Sequence, residues 1–432
     1  MTENGEEYRF VRLLFTGLDG ISRSLEITSN HADSLYEEGV YFDGSSVPGY
    51  APIHDSDRLL MPVWDRPRAC PWERDVGMLL CSVYSEPGIA SPGDPRHLVS
   101  SMSKRLHDMG LVLRIGCELE FFLVRNSTTG RIVPADTGEY MASYPADEGL
   151  HLRREIVGAL QDLEVPVVAH HHEVAQGQHE IVLEHADARD AADNILLTRL
   201  VVSEISHRHG LTATFMPKPF ATMNGSGMHL HQSLWDAESR QNLFALPTGD
   251  LSEMALSYVA GILEHAEALS ALVAPTVNSY KRLRPFFEAP TTVAWGHSNR
   301  SSMIRVPKFS STSSGHRIEM RCPDPSCSPH LAIAAIMAAG LDGLQRELVP
   351  AASSESNLFE DANDVRHLPH TLEDALAHLE RNTALRESIG GGTIDRVVML
   401  RRTEWADYYA ATGQENPEEI SRWEIEKYLH AL

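Results

Sequence analysis

The chain has 432 residues, 42% of them hydrophobic and 22% charged, which excludes wholesale disorder and is enough for a large core shared by more than one domain. Its formal charge of −23, from 60 acidic against 37 basic side chains, argues against a nucleic-acid or anionic-membrane surface, because such a surface is bound through local positive charge. Five cysteines without CxxC spacing point away from a disulfide framework or a zinc ribbon. The polar, acidic start and the lack of any apolar run of membrane length complete the expectation of a cytoplasmic protein.

From the N-terminus, Tyr8 to Thr16 is rich in β-formers, Asp19-Gly20 is a turn signal and Ile21 to Ile27 alternates, which predicts a hairpin opening a small β domain. A short helical pattern follows, then the Gly/Ser-rich loop from Asp43 to Gly49 and strands near Leu59 to Val63 and Val76 to Val83. The Pro/Gly-rich stretch from Glu86 to Pro95 sets the boundary between an N-terminal domain, 1–95, and a second domain, 96–432. Beyond it, strands such as 112–124 alternate with long helical patterns, as in a mixed α/β domain. Asp187 to His209 has helical spacing and stops at Gly210. Ser328-Pro329 before Leu331 to Leu341 predicts an N-cap, a proline at the first helical position and a buried helix.

Chemistry enters at Gly116 to Val124, where Glu118 and Glu120 sit two residues apart in an apolar strand and so leave the same face. Two buried like charges are costly unless cations neutralise them, so the pair reads as a metal platform or an acid/base pair. Three more segments share this geometry. In Asn224 to Leu234 a glycine-rich loop, with Asn224 and Gly225, runs into a strand that points His229, His231 and Ser233 one way. Arg317, Glu319 and Arg321 alternate with apolar residues, and Glu173 and Glu180 flank a glycine-containing turn. Five glutamates with one histidine are hard, oxygen-rich donors that favour Mg²⁺ or Mn²⁺ and are enough for two ions. Lysine is confined to Lys104, Lys218, Lys281, Lys308 and Lys427, so arginine carries most of the positive charge, with Arg282, Arg284, Arg300 and Arg305 gathered in one quarter. Metals beside arginines suit phosphoryl transfer, although no GxxxxGK[ST] loop is present.

These motifs resemble the glutamine synthetase family, and within it the type I enzymes of bacteria and archaea. The likeness runs from Asp43-Gly44-Ser45-Ser46 through the Glu118 strand, 171–180, 213–219, 224–229, 278–283, 288–290, 299–305 and 317–325 to 339–344, nearly the whole chain. The resemblance implies an α+β protein, with a small N-terminal β-grasp domain and a large catalytic domain built on an antiparallel active-site sheet. It implies ATP-dependent ligation of ammonia to the γ-carboxylate of L-glutamate through a γ-glutamyl phosphate. Glu120, Glu173 and Glu180 would hold one metal, and Glu118, His229 and Glu319 another. His231, Ser233, Arg300, Arg305 and Arg317 would face ATP. Asn224, Gly225, Arg282 and Arg321 would hold glutamate. Asp43 and Ser46 would reach from a neighbouring subunit to meet Tyr140, Glu173 and Glu288 at an ammonium site, with Asp43, Glu288 and Arg300 catalytic. Such sharing requires a homo-oligomer, in this family usually a dodecamer of two hexameric rings.

The sequence departs from the family pattern at Cys117, usually proline, and at Phe286, usually glycine, beside Glu288. Trp295-Gly296-His297 is closer to the related γ-glutamyl-polyamine ligases, whereas Asp43 and Glu288 are residues those ligases tend to lack. An organic amine is therefore the alternative to ammonia. Phe359 stands where many bacterial members carry an adenylylated tyrosine, and Pro52 where another branch has its feedback arginine. A catalytically silent relative is disfavoured by the complete ligand set, and a zinc hydrolase by one histidine among five glutamates.

Overall fold

Alternation in Phe10–Thr16 (β1) and Ser22–Thr28 (β2) produces the expected hairpin, paired in register from Phe10 opposite Thr28 to Thr16 opposite Ser22. In this computed structural model the described residues are all except 1, 4–5, 33, 127–130, 247–249, 309–314, 363–364, 415–417 and 432. Val40–Asp43 (β3), Asp57–Pro62 (β4) and Val76–Glu86 (β5) extend the hairpin into a sheet of order β2-β1-β5-β4-β3, in which β1 and β5 run parallel. One face of β1 sends Val11, Leu13 and Phe15 into a local core, and the other sends Leu14 into the main core. The small sheet is therefore packed on both sides, one of them against the rest of the molecule.

The hairpin turn is itself a docking element. Gly20 has φ +82°, and a β-carbon there would lie 2.8 Å from the Ser328 nitrogen, so the turn needs glycine for both conformation and space. Arg199, fully buried, donates to the carbonyls of Gly20 (2.9 Å) and Cys327 (3.0 Å), which ties the turn to the larger half.

After Asp94, whose carboxylate accepts from the Arg96 N–H at 3.0 Å, helix α1 (Pro95–His107) begins with proline at its start. The strand predicted at 112–124 is β6 (Leu111–Asn126), with Val167–His172 (β7) and Gln178–Asp187 (β8) on one side. On the other lie Met228–Asp236 (β9), Trp295–His297 (β10), Ile304–Val306 (β11) and Ile318–Met320 (β12). The order is β7-β8-β6-β9-β12-β11-β10, antiparallel except for the β10 and β11 pair. Helix α2 (Ala188–Arg208) follows the predicted span and ends before Gly210 at φ +70°. Helix α3 (Pro329–Gln345) is buried as expected, but Ser328 makes no side-chain cap bond, and Pro329 with the extended backbone at Ser328 starts the helix instead. The five cysteines are buried and free. Among the described residues no single helix is long and apolar enough to cross a membrane.

Candidate active site

Register turns four sequence motifs into one surface. Across the sheet His171 stands opposite Glu180, and Glu180 opposite Glu120. One step along, Glu118 faces His229; beyond it His231 faces Glu319, which faces Arg305. Because side chains two apart share a face, these rows make a carboxylate and imidazole floor about one strand spacing per step. Above it lies a cavity of about 590 Å³ lined among others by Glu118, Glu120, Tyr140, Glu173, Glu180, Asn224, Gly225, His229, Arg282, Glu288, Arg300 and Arg321. A neighbouring recess of about 330 Å³ shares Glu118 and is lined by His231, Ser233, Trp235 and Arg317.

Charge on the floor is poorly balanced by protein alone. Burial, then Glu118 and the other carboxylates, push Glu180 well above its ordinary pKa, and burial with Glu173 pushes Glu120 up. Burial opposes ionisation of Glu118 as well, but hydrogen bonds from His229 and His231 outweigh it and hold Glu118 low. His229 Nδ1 lies 3.2 Å from Glu118 Oε2 and 3.8 Å from both Glu120 Oε1 and Glu319 Oε1. Burial and Arg321 keep His229 below its ordinary pKa, so its neutral ring suits ligation. Arg317 Nε donates to His231 Nδ1 at 3.3 Å, which leaves His231 Nε2–H to donate to Glu118 Oε1 at 2.9 Å.

Three groups here have ligand atoms within 4.8 Å of one another: Glu118 with Glu180 and His229; Glu118 with His231 and Glu319; and His171 with Glu173 and Glu180. None of these three groups includes Glu120, whose Oε2 accepts from the Gly227 N–H (2.8 Å) and Gln178 Nε2 (3.0 Å) while its Oε1 lies 3.8 Å from His229 Nδ1. Buried, crowded carboxylates, with Glu180 and Glu120 raised first by burial and then by neighbouring carboxylates, fit hard divalent cations.

His171 and Gln178 are the site residues that sequence reasoning passed over. Both were legible in principle, since each alternates by two with a glutamate, His171 with Glu173 and Gln178 with Glu180. A buried network supports their hairpin: His172 Nε2 lies 2.8 Å from Asp136 Oδ1, its Nδ1 lies 2.6 Å from the Glu173 carbonyl, and Asp136 also accepts from the Gly177 N–H at 3.0 Å.

The glycines of Asn224 to Gly227 are explained by Arg282. A β-carbon at Gly227 would stand 2.6 Å from Arg282 Nη2, and one at Gly225 would collide with the Pro217 carbonyl. Arg282 is buried and oriented by donating to the carbonyls of Cys322 and Arg321, both at 3.0 Å. Across the mouth, Asn224 Nδ2 donates to Glu288 Oε2 at 3.1 Å, and Arg321 Nη2 donates to the Glu288 carbonyl at 3.1 Å. Asp43 and Ser46 do not line the cavity. They sit at the end of β3, where the Asp43 carboxylate accepts from Ser45 and Ser46 hydroxyls at 2.6 Å each, bonds that hold it below its ordinary pKa.

A family model described as the glutamine synthetase catalytic domain matches residues 92–428, and one described as the glutamine synthetase β-grasp domain matches residues 7–86. The glutamine synthetase of Methanococcus maripaludis is 38% identical over 98% of this chain and 96% of its own. Those of Halobacterium salinarum and Thermus thermophilus are each 39% identical, covering 97% and 98% of this chain and 93% and 96% of their own. A solved GmaS/ADP complex superposes with a TM-score of 0.87 at 31% identity over 99% of both chains. Ligand-free GmaS superposes with 0.86 at 32% identity, over 98% of this chain and 97% of its own.

Proposed function

Since the chain belongs to the glutamine synthetase family of ATP-dependent ligases, we propose that it joins ammonia to the γ-carboxylate of L-glutamate, giving glutamine, ADP and phosphate. The carrying observation is the row of carboxylates held in register on one sheet face, below Arg300, Arg321 and Arg282 in a single cavity.

In this reading Arg282, Arg321, Asn224 and Gly225 hold glutamate, and His231, Ser233, Arg300, Arg305 and Arg317 meet ATP around the shared carboxylate Glu118. Glu120, Glu173, Glu180, Glu118, His229 and Glu319, joined by His171, hold Mg²⁺ or Mn²⁺. Bound ions of this class neutralise phosphate oxygens and so favour phosphoryl transfer. A γ-carboxylate oxygen attacks the γ-phosphorus of ATP and ADP leaves, with Arg300 stabilising the moving charge. Bound ammonium first gives a proton to Asp43; the ammonia nitrogen then attacks the acyl carbon, phosphate departs, and Glu288 takes the remaining surplus proton. Asp43 and Ser46 complete the ammonium site from a neighbouring subunit, which explains why they stand exposed and apart in one chain, and makes the working form a ring oligomer, a dodecamer as the family resemblance implies. The compartment that fits is the cytoplasm.

Ammonium is favoured because Glu173, Glu288 and the Tyr140 hydroxyl share the cavity, offering several hydrogen-bonding partners to a small cation. The second reading is a small organic amine. It is favoured by Phe286, 69% exposed two residues before Glu288 and 6.0 Å from Phe359 between ring centroids, and by the likeness to GmaS. Release of phosphate from ATP with glutamate and Mg²⁺ tests the ligase reading. It should require an amine, vanish with EDTA, and fall by at least roughly a hundredfold in His229→Ala. Full turnover in the EDTA-treated protein would refute it.

A further inference from the structure

The 213–219 motif plays no part in the chemistry above, yet its lysine is buried behind the site. Lys218 is 2% exposed, and Asn278 clamps its main chain on both sides, accepting from its N–H at 2.7 Å and donating to its carbonyl at 3.0 Å. Lys218 Nζ donates to the Met223 carbonyl and lies 3.3 Å from the centroid of the Phe287 ring, while burial, then Arg284 and Arg282, lower its pKa to about 7. Each contact is one residue from a group at the cavity mouth: Met223 precedes Asn224, Phe287 precedes Glu288, and Asn224 and Glu288 are bonded to each other.

The loop bearing Glu288 has reason to need such a hold. Phe286 and Glu288 adopt φ of +68° and +57°, a region that side chains other than glycine occupy only where surrounding contacts compel it. The contacts around these residues are the Phe359 ring 6.0 Å from that of the mostly exposed Phe286, Lys218 over Phe287, and the bonds from Asn224 and Arg321 to Glu288. A desolvated ammonium over an aromatic face is among the stronger contacts available to a short loop.

We propose that Lys218 is a positioning residue that locks the Glu288 loop over the cavity through Phe287, so that the acyl phosphate meets the amine and not water. The inference rests on the ligase reading. In the coupled reaction nitrogen attacks the acyl carbon, the carbon to phosphate-oxygen bond breaks and Glu288 takes a proton. In the leak, water oxygen attacks the same carbon, the same bond breaks, and glutamate and phosphate result.

The test measures phosphate and glutamine in parallel for the full-length protein at saturating ammonium. Wild type should release the two in nearly equal amounts, with a small measurable excess of phosphate as its leak. Lys218→Met and Phe287→Leu should each raise phosphate released without glutamine by roughly tenfold, the order expected for loss of one desolvated cation–π contact. Lys218→Arg should restore coupling, and the double variant should leak no more than either single one. Phe287→Leu keeps the lysine and its main-chain clamp, so it decides the question should Lys218→Met not fold. Variants that are slow but still couple phosphate to glutamine as tightly as wild type would overturn the proposal. A wild type that makes no glutamine would instead overturn the ligase reading.

Discussion

Glu319 Oε1 accepts a 2.6 Å hydrogen bond from Arg321 Nη1, and both side chains are almost fully buried. One end of this pair belongs to the proposed metal set and the other to the proposed glutamate site. A cation that draws on Glu319 competes with Arg321 and leaves the guanidinium freer for the substrate carboxylate. Glutamate should therefore bind more tightly with Mg²⁺ than without it, by roughly fivefold or more, the scale of ordinary coupling energies. Glu319→Gln should abolish that difference as well as turnover. Calorimetric titration of glutamate with and without metal checks it; equal affinities in wild type would count against the coupling.

The pairing also marks what the sequence leaves illegible. Alternation by two was enough to put Glu118 with Glu120 and Arg317 with Glu319 on common faces, since period two follows from any strand. It could not say which strands adjoin. The opposition of Glu180 to Glu120 and of His231 to Glu319 comes from long-range register, as does the place of His171. The hairpin and the helix ending before Gly210 were readable because turn and cap chemistry is local. The Ser328 hydroxyl misled because a serine before proline signals a helix start whether or not its side chain makes the cap bond.

Metal stabilisation should depend on pH with a definite sign. Burial and neighbouring carboxylates raise Glu180 and Glu120 above their unfolded values, so without metal their contribution to stability is present at low pH and is lost as pH rises through the folded values. Divalent cations replace those protons. The gain in Tm on adding Mn²⁺ should be larger near about pH 8 than near about pH 6. Thermal scans at fixed metal concentration would show it, and a gain that shrinks with pH would contradict the charge balance described.

A buried ion pair outside the site sets a stability prediction. Lys281 Nζ lies 2.6 Å from Glu424 Oε2, with side-chain exposures of 1% and 0%, and Asn278 donates to the other oxygen at 2.8 Å. Glu424→Ala leaves the ammonium buried and uncompensated, at a cost of about 3–5 kcal/mol. Glu424→Gln should cost less, because an amide oxygen can still accept from Lys281. A fall in Tm for Glu424→Gln as large as or larger than that for Glu424→Ala would contradict this ranking.

Shared sites predict complementation. Asp43→Ala and Glu120→Ala subunits should each be inactive as pure oligomers, whereas verified mixed oligomers should regain part of the activity through interfaces that pair an intact Asp43 with an intact Glu120. Mixed oligomers as inactive as their parents would mean that Asp43 does not serve a neighbour's cavity.

The choice of amine separates glutamine synthesis from amine ligation. An alkylamine would leave some of the cavity's polar groups unpaired, at about 1–3 kcal/mol each, so ammonium should exceed ethylamine by at least roughly tenfold in kcat/KM. The measurement is kcat/KM for ammonium, ethylamine, ethanolamine and putrescine, with the products identified by mass, on wild type and on Phe286→Gly. Glutamine should be the favoured product in wild type, with little change of preference in the variant. An organic amine that outperforms ammonium on wild type, and loses that lead in Phe286→Gly, would contradict it and assign the chain to amine ligation.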